Sequence, residues 1–103
     1  MNKEYIITYL PLFYKDMAKI TKYISKTLNN KIAANNLINE VEQQILKRAY
    51  NPISYEKYSS STKRENNYYR LYVKNYTIFY VVKDNIIEIR RILYNKRNFD
   101  KFI

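Results

Sequence analysis

The chain has 103 residues, with 19 Lys and Arg against nine Asp and Glu, a formal charge of +10, and no Cys, His, Gly or Trp. The missing Cys and His exclude disulfide scaffolds, thiolate or imidazole metal sites, thiol nucleophiles and Ser-His-Asp chemistry, and the missing Gly excludes phosphate-cradling glycine loops. Apolar residues at 47% and aromatics at 17% are enough for a folded core, so one small domain over residues 1–103 is expected rather than a disordered chain.

Residues Tyr5 to Tyr9 are rich in Ile, Tyr and Thr and predict a first strand, stopped near Pro11. Pro11 suits the first turn of a helix. After it Phe13, Met17, Ile20, Ile24 and Leu28 recur at helical spacing and mark one apolar face. Lys15, Lys19, Lys22 and Lys26 lie off that stripe and read as a solvated face. Asn29 and Asn30 interrupt the pattern and offer a side-chain cap to a second helix. Its apolar face holds Ala33, Ala34, Leu37, Ile38, Val41 and Ile45, and it ends before Pro52. The short connection predicts an antiparallel helical hairpin. Asn51 to Asn67 is polar and reads as a loop, with Ser59 to Thr62 a loop cluster rather than a nucleophile.

Three strands are then predicted, at about Tyr68–Lys74, Tyr76–Val82 and Ile86–Tyr94, joined by turns at Lys74-Asn75 and Asp84-Asn85. The order is β-α-α-β-β-β. It is an α+β fold, with the helical hairpin packed on one face of a twisted antiparallel sheet. The turns set Val73 opposite Tyr76, Leu71 opposite Ile78 and Tyr69 opposite Tyr80. They likewise set Val82 opposite Ile87, Tyr80 opposite Ile89, Ile78 opposite Arg91 and Tyr76 opposite Leu93. That mostly apolar face belongs under the helices, with Arg91 its charged exception near the edge. The other face collects Tyr68, Arg70, Tyr72, Lys74, Thr77, Phe79, Val81, Glu88, Arg90, Ile92 and Tyr94, because strand residues alternate sides. A one-residue slip would exchange Arg90 and Arg91.

This second face offers phosphate donors and stacking platforms together, and an ordinary solvated surface remains an equal reading of it. Tyr72, Lys74, Phe79 and Lys96 are candidate contacts to a target or nucleic acid. No stretch of about 18 apolar residues predicts a membrane span. Residues 1–9 have no apolar core of a signal peptide, so a cytoplasmic location is expected.

The chain resembles the RelE/ParE superfamily of toxins from type II toxin–antitoxin modules. The resemblance runs from Tyr5-Ile6-Ile7-Thr8-Tyr9 through Phe13 to Asp16, Ile20, Tyr23-Ile24 and Asn30-Lys31-Ile32-Ala33-Ala34-Asn35-Asn36-Leu37. It is most specific at Tyr69-Arg70-Leu71-Tyr72-Val73-Lys74-Asn75-Tyr76-Thr77-Ile78-Phe79-Tyr80 and Ile89-Arg90-Arg91-Ile92-Leu93-Tyr94-Asn95-Lys96-Arg97-Asn98-Phe99. It implies growth arrest by one of two routes, inhibition of DNA gyrase (ParE-like) or cleavage of messenger RNA in the ribosome (RelE-like). A relative that only binds its antitoxin is a third reading. It implies a co-expressed partner, an acidic antitoxin suited to a +10 chain, and no cofactor. The RelE-like branch usually carries arginine right after the tyrosine where this chain has Tyr76-Thr77, and ends with a Tyr or His where this chain ends Phe102-Ile103. That departure tilts the expectation toward gyrase. For RNA cleavage, the RelE-like route implies Arg70, Arg90 and Arg97 as candidates to stabilise the phosphate, Glu88 or Lys74 as base and Tyr72 or Tyr94 as acid, and the catalytic set it assigns is Arg70, Arg90, Tyr94 and Arg97.

Overall fold

The computed structural model describes residues 5–50, 57–58 and 68–101. Strand β1 spans Ile6–Tyr9, helix α1 Pro11–Lys22, helix α2 Lys31–Arg48, β2 Lys57–Tyr58, β3 Tyr68–Val73, β4 Tyr76–Lys83 and β5 Ile86–Tyr94. A short 3-10 turn at Phe99–Lys101 follows. The expected strands and the helical hairpin are found in the expected order, with one further strand, β2, between α2 and β3. The sheet runs β1-β5-β4-β3-β2. Its hairpin-linked strands are antiparallel, but β1 lies parallel to β5, Ile6 beside Ile86 and Tyr9 beside Ile89. The sheet is therefore mixed, because a parallel neighbour needs a long crossover and the helices with β2–β4 supply it. The expected loop at Asn51–Asn67 contains β2, paired with Tyr68 and Tyr69. The rest of that loop, Ser59–Thr62 included, lies outside the described residues, as do Phe102 and Ile103.

Pro11 occupies the first turn of α1, where its missing N–H costs no hydrogen bond. Phe13 is buried, and Met17, Ile20 and Ile24 pack against the core beside it. Leu28 does not follow them. At Tyr23–Thr27 the helix widens into a π-turn, just after Thr21 Oγ1 donates to the Met17 carbonyl at 2.9 Å. Ser and Thr bonds of this kind loosen the helical ladder. The wider turn rotates the stripe, and Leu28 ends 55% exposed. Asn30 caps α2 as expected, its Oδ1 accepting from the Ala33 N–H at 3.0 Å. Ala34, Leu37, Val41 and Ile45 are buried, while Ile38 faces outward.

Leu37, Val41 and Ile45, with Phe13, meet Leu71, Val73, Ile78, Tyr80, Ile87, Ile89 and Ile92 in the main core. Both hairpins turn on a left-handed residue, Lys74 and Asp84 each at φ 53, the first position of each turn rather than the asparagine. Val82 faces Ile87 and Tyr80 faces Ile89, as the turns predict. The pairing then slips between Phe79 and Tyr80, so that Phe79 faces Arg91, Ile78 faces Ile92 and Tyr76 faces Tyr94. Arg90 is the extra residue of a β-bulge. The expected pairs Ile78–Arg91 and Tyr76–Leu93 are thereby corrected. Ile92 and Tyr94 move to the helix side, and Leu93 joins the opposite face.

Candidate functional site

The bulge divides the candidate residues between two surfaces. On the face away from the helices, β3 presents Tyr68, Arg70 and Tyr72 at alternate positions. The Arg70 guanidinium lies over the Tyr72 ring, 5.6 Å from its centroid, and that of Arg90 lies over Tyr68 at the same distance. Arg90 and Arg70 thus sit on one face, as the turns predict for both. Arg90 also pairs with Glu88, Nη2 to Oε1 at 2.6 Å and Nε to Oε1 at 2.7 Å. Its Nη1 donates to the Tyr68 hydroxyl at 3.2 Å. Burial opposes the Arg90 charge, but the bonds with Tyr68 and Glu88 outweigh it and hold the group above its ordinary value. The Glu88 carboxylate, a candidate base, is already an acceptor for this cation.

Much of this face is roofed by the chain itself. Phe79, expected as a stacking platform, is 0% exposed. Phe99 closes on it edge-to-face at 4.9 Å and Tyr68 at 6.4 Å. Together with Val81 and Leu93 they form a second small core. The physical reason is the tail after β5. It turns back over the sheet, where apolar rings gain more by mutual burial than by exposure. Thr77, on the same face, is also fully buried, its Oγ1 donating to Asn95 Oδ1 at 2.5 Å. Tyr72, 51% exposed, and Lys74, in its turn, remain at the surface. Lys96 is exposed in the turn beyond β5.

Tyr94 and Arg97 are elsewhere. They line a cleft between α1 and the end of β5, about 600 Å³ in volume, with Lys19, Tyr23, Leu28 and Tyr76. A smaller recess of about 110 Å³ leads inward from the same side chains to Asp16 and Arg91. Tyr76 and Tyr94 meet edge-on at 5.8 Å. Burial, with Tyr94 and Tyr23 nearby, pushes the Tyr76 hydroxyl above its usual value. The expectation that Tyr94 joins Arg90 on one surface is corrected by the bulge.

Asp16 is a residue of this recess that the sequence reading does not single out. Arg91 donates to it through Nε at 2.7 Å and Nη2 at 2.8 Å, and the Ile92 N–H donates to the same carboxylate at 3.1 Å. Beyond Ile89 strand β1 has ended, and Asp16 replaces it as an acceptor for β5. Its bonds outweigh burial and hold Arg91 above its ordinary value. The available signal was position. Asp16 follows Phe13 by one helical turn on the buried stripe, opposite the lone arginine of the helix-side sheet face.

A sequence profile described as the ParE toxin of the type II toxin–antitoxin system parDE matches residues 7–99. The chain belongs to the ParE toxin family. No curated protein matches it significantly. Among solved structures, this ParE-family chain is similar in fold to one in the chromosomal ParDE system from P. aeruginosa. The TM-score there is 0.73 at 14% identity, covering 89% of this chain and 97% of that one. A chain of the E. coli DinJ-YafQ complex matches at TM-score 0.55 and 15% identity, over 93% and 99%. The RelB-RelE antitoxin-toxin complex from Methanococcus jannaschii contributes a match at 0.50 and 23%, over 92% and 98%. The ParE-family fold thus spans nearly the whole chain, including both candidate surfaces. Among the described residues no helix is long and apolar enough to cross a membrane.

Proposed function

We propose that this toxin arrests growth by binding DNA gyrase and not by cutting RNA. The observation that carries the reading is the Arg90–Glu88 pair, 2.6 Å apart. It occupies the carboxylate that would serve as base and neutralises the arginine that would stabilise a phosphate. In-line attack by a 2′-hydroxyl needs a base, a charge stabiliser and an acid together. Here the acid candidate Tyr94 lies in the cleft, on the other side of the bulge from Arg90. Thr77, at the position where RNA-cleaving relatives carry arginine, is buried. Induced expression tests the reading. Growth arrest with a DNA-damage response and intact messages supports it, and codon-position cuts in the messages overturn it.

The RelE-like reading has one observation in its favour: Tyr94, Arg97 and Lys19 share a cleft, bringing a hydroxyl and two cations within one basin. Under that reading Arg97→Ala lowers the cutting rate about 10²-fold, as loss of one charge-stabilising donor does.

The antitoxin partner is part of the same proposal. Its dock is the groove between α1 and α2, about 300 Å³, lined by Tyr9, Tyr14, Met17, Ile38 and Glu42 among others. An amphipathic helix of net negative charge fits such a groove, its apolar residues on Met17 and Ile38. The +10 charge attracts it from a distance. Binding that weakens steeply as salt is added, measured with the antitoxin from the adjoining reading frame, supports this partner. Salt-independent binding contradicts it.

A further inference from the structure

We propose that the cleft between α1 and the end of β5 is a binding site for a nucleoside phosphate, its base against the tyrosines and its phosphate between Lys19 and Arg97. The proposal goes beyond gyrase binding and does not depend on it.

Four observations converge there. The volume, about 600 Å³, lies in the range of small-ligand sites, roughly 300–1,000 Å³. Two cations come from separate elements, Lys19 from the last turn of α1 and Arg97 from the turn after β5. Three tyrosines line the basin with them. Tyr76 and Tyr94 meet edge-on, and Tyr23 and Tyr94 remain 52% and 40% exposed. Ring area is thus left for a base to stack on, and every base offers a π-face. Finally, the carboxylate that lines the inner recess, Asp16, already accepts from Arg91 twice and from the Ile92 N–H. Among the described lining residues no other carboxylate opposes an anion.

Local structure explains how the basin arises. The π-turn at Tyr23–Thr27 turns Tyr23 and Leu28 toward the strand ends instead of continuing the buried stripe. The bulge at Arg90 swings Tyr94 to the helix side to meet them. Tyr76, like any tyrosine at neutral pH, keeps its proton, and its hydroxyl can donate to a phosphate oxygen. An acidic peptide would satisfy the cations alone. A nucleoside phosphate satisfies cations and rings together, and this favours it.

The test is an NMR titration of the isotope-labelled full chain with adenosine 5′-monophosphate. Separate titrations use adenosine, inorganic phosphate, a glutamate-rich peptide and a short single-stranded oligonucleotide. The expected result is saturable shifts at Tyr23, Tyr76 and Tyr94 with the monophosphate, and binding of adenosine or phosphate alone about tenfold weaker or less. Lys19→Gln and Arg97→Gln should each weaken binding about tenfold, as loss of a charged hydrogen bond does. Lys15→Gln, outside the cleft on the same helix, should leave it unchanged. Both lysines and Arg97 are exposed, so these variants keep the fold, checked by circular dichroism. Displacement of the monophosphate by the oligonucleotide supports the chemistry and assigns its source to a strand end. Failure to displace supports a free nucleotide. Absence of shifts at the three tyrosines, phosphate binding as tightly as the monophosphate, or the acidic peptide outcompeting it each overturns the proposal.

Discussion

Asp16 and Arg91 meet in a two-pronged ion pair, at 2.7 and 2.8 Å, that fastens helix α1 to strand β5. The contact spans most of the chain, and the same carboxylate holds the Ile92 N–H. Both side chains are mostly removed from water, so loss of one partner strands the other's charge. Asp16→Asn is expected to cost about 2–4 kcal/mol in urea unfolding, near the lower end for a broken buried pair. The double variant Asp16→Leu with Arg91→Met should cost less than the sum of the two single changes, since neither charge is then left alone. Additive losses contradict the pairing.

The Phe99–Phe79 contact makes a second prediction. Phe99→Ala removes the roof of the small core formed with Tyr68, Val81 and Leu93. Phe99 is only partly buried, so the cost should be about 1–2 kcal/mol, below the full range for a core Phe→Ala change. Binding of an apolar dye should rise as Phe79 is uncovered. No change in either would show that the tail does not stay on the sheet.

The turn between β3 and β4 carries the third. Lys74 takes φ 53, a conformation that costs a residue with a Cβ about 1 kcal/mol and costs Gly almost nothing. Lys74→Gly is therefore expected to leave the protein as stable or to raise its stability by up to about 1 kcal/mol, because greater freedom of the unfolded chain takes back part of the gain. If the Lys74 ammonium also contacts the target, growth arrest weakens while stability does not fall. A loss of stability contradicts the turn geometry.

The fourth concerns alkaline pH. Burial raises the folded-state pKa of Tyr76 above the ordinary 10.0. The neutral hydroxyl is the favoured form in the fold. Its contribution is fully present below pH 10 and is lost as pH rises through the raised value, since folding then holds a proton that the unfolded chain has released. Tyrosinate absorbance should show late-titrating groups, and Tyr76→Phe should remove one and lessen the alkaline loss of stability. Tyr9, raised mainly by burial, should account for another.

Much of the fold is legible in the residues themselves. The turns at Lys74-Asn75 and Asp84-Asn85 set the pairs Leu71–Ile78, Tyr80–Ile89 and Val82–Ile87 correctly, because a two-residue turn leaves little choice of register. The apolar spacing of Phe13, Met17, Ile20 and Ile24 and the cap at Asn30 describe the hairpin. Three features escaped. The bulge at Arg90 follows from tertiary packing, which buries both Ile92 and Leu93, one on each side of the sheet; that adjacent apolar pair after an Arg-Arg pair was its visible mark. The π-turn that removes Leu28 from the stripe leaves no periodic signature. The parallel docking of β1 depends on contacts distant in sequence. Errors in the candidate site follow from the bulge and the tail. The bulge separates Tyr94 from Arg90, and the tail hides Phe79.

Gyrase supercoiling with the purified chain decides whether the toxin acts by binding gyrase. Relaxed plasmid, gyrase and a saturating excess of the toxin should yield no supercoiled product, with Glu88→Gln inhibiting as strongly as the parent because no base is required. Undiminished supercoiling at saturation would rule out gyrase as the target.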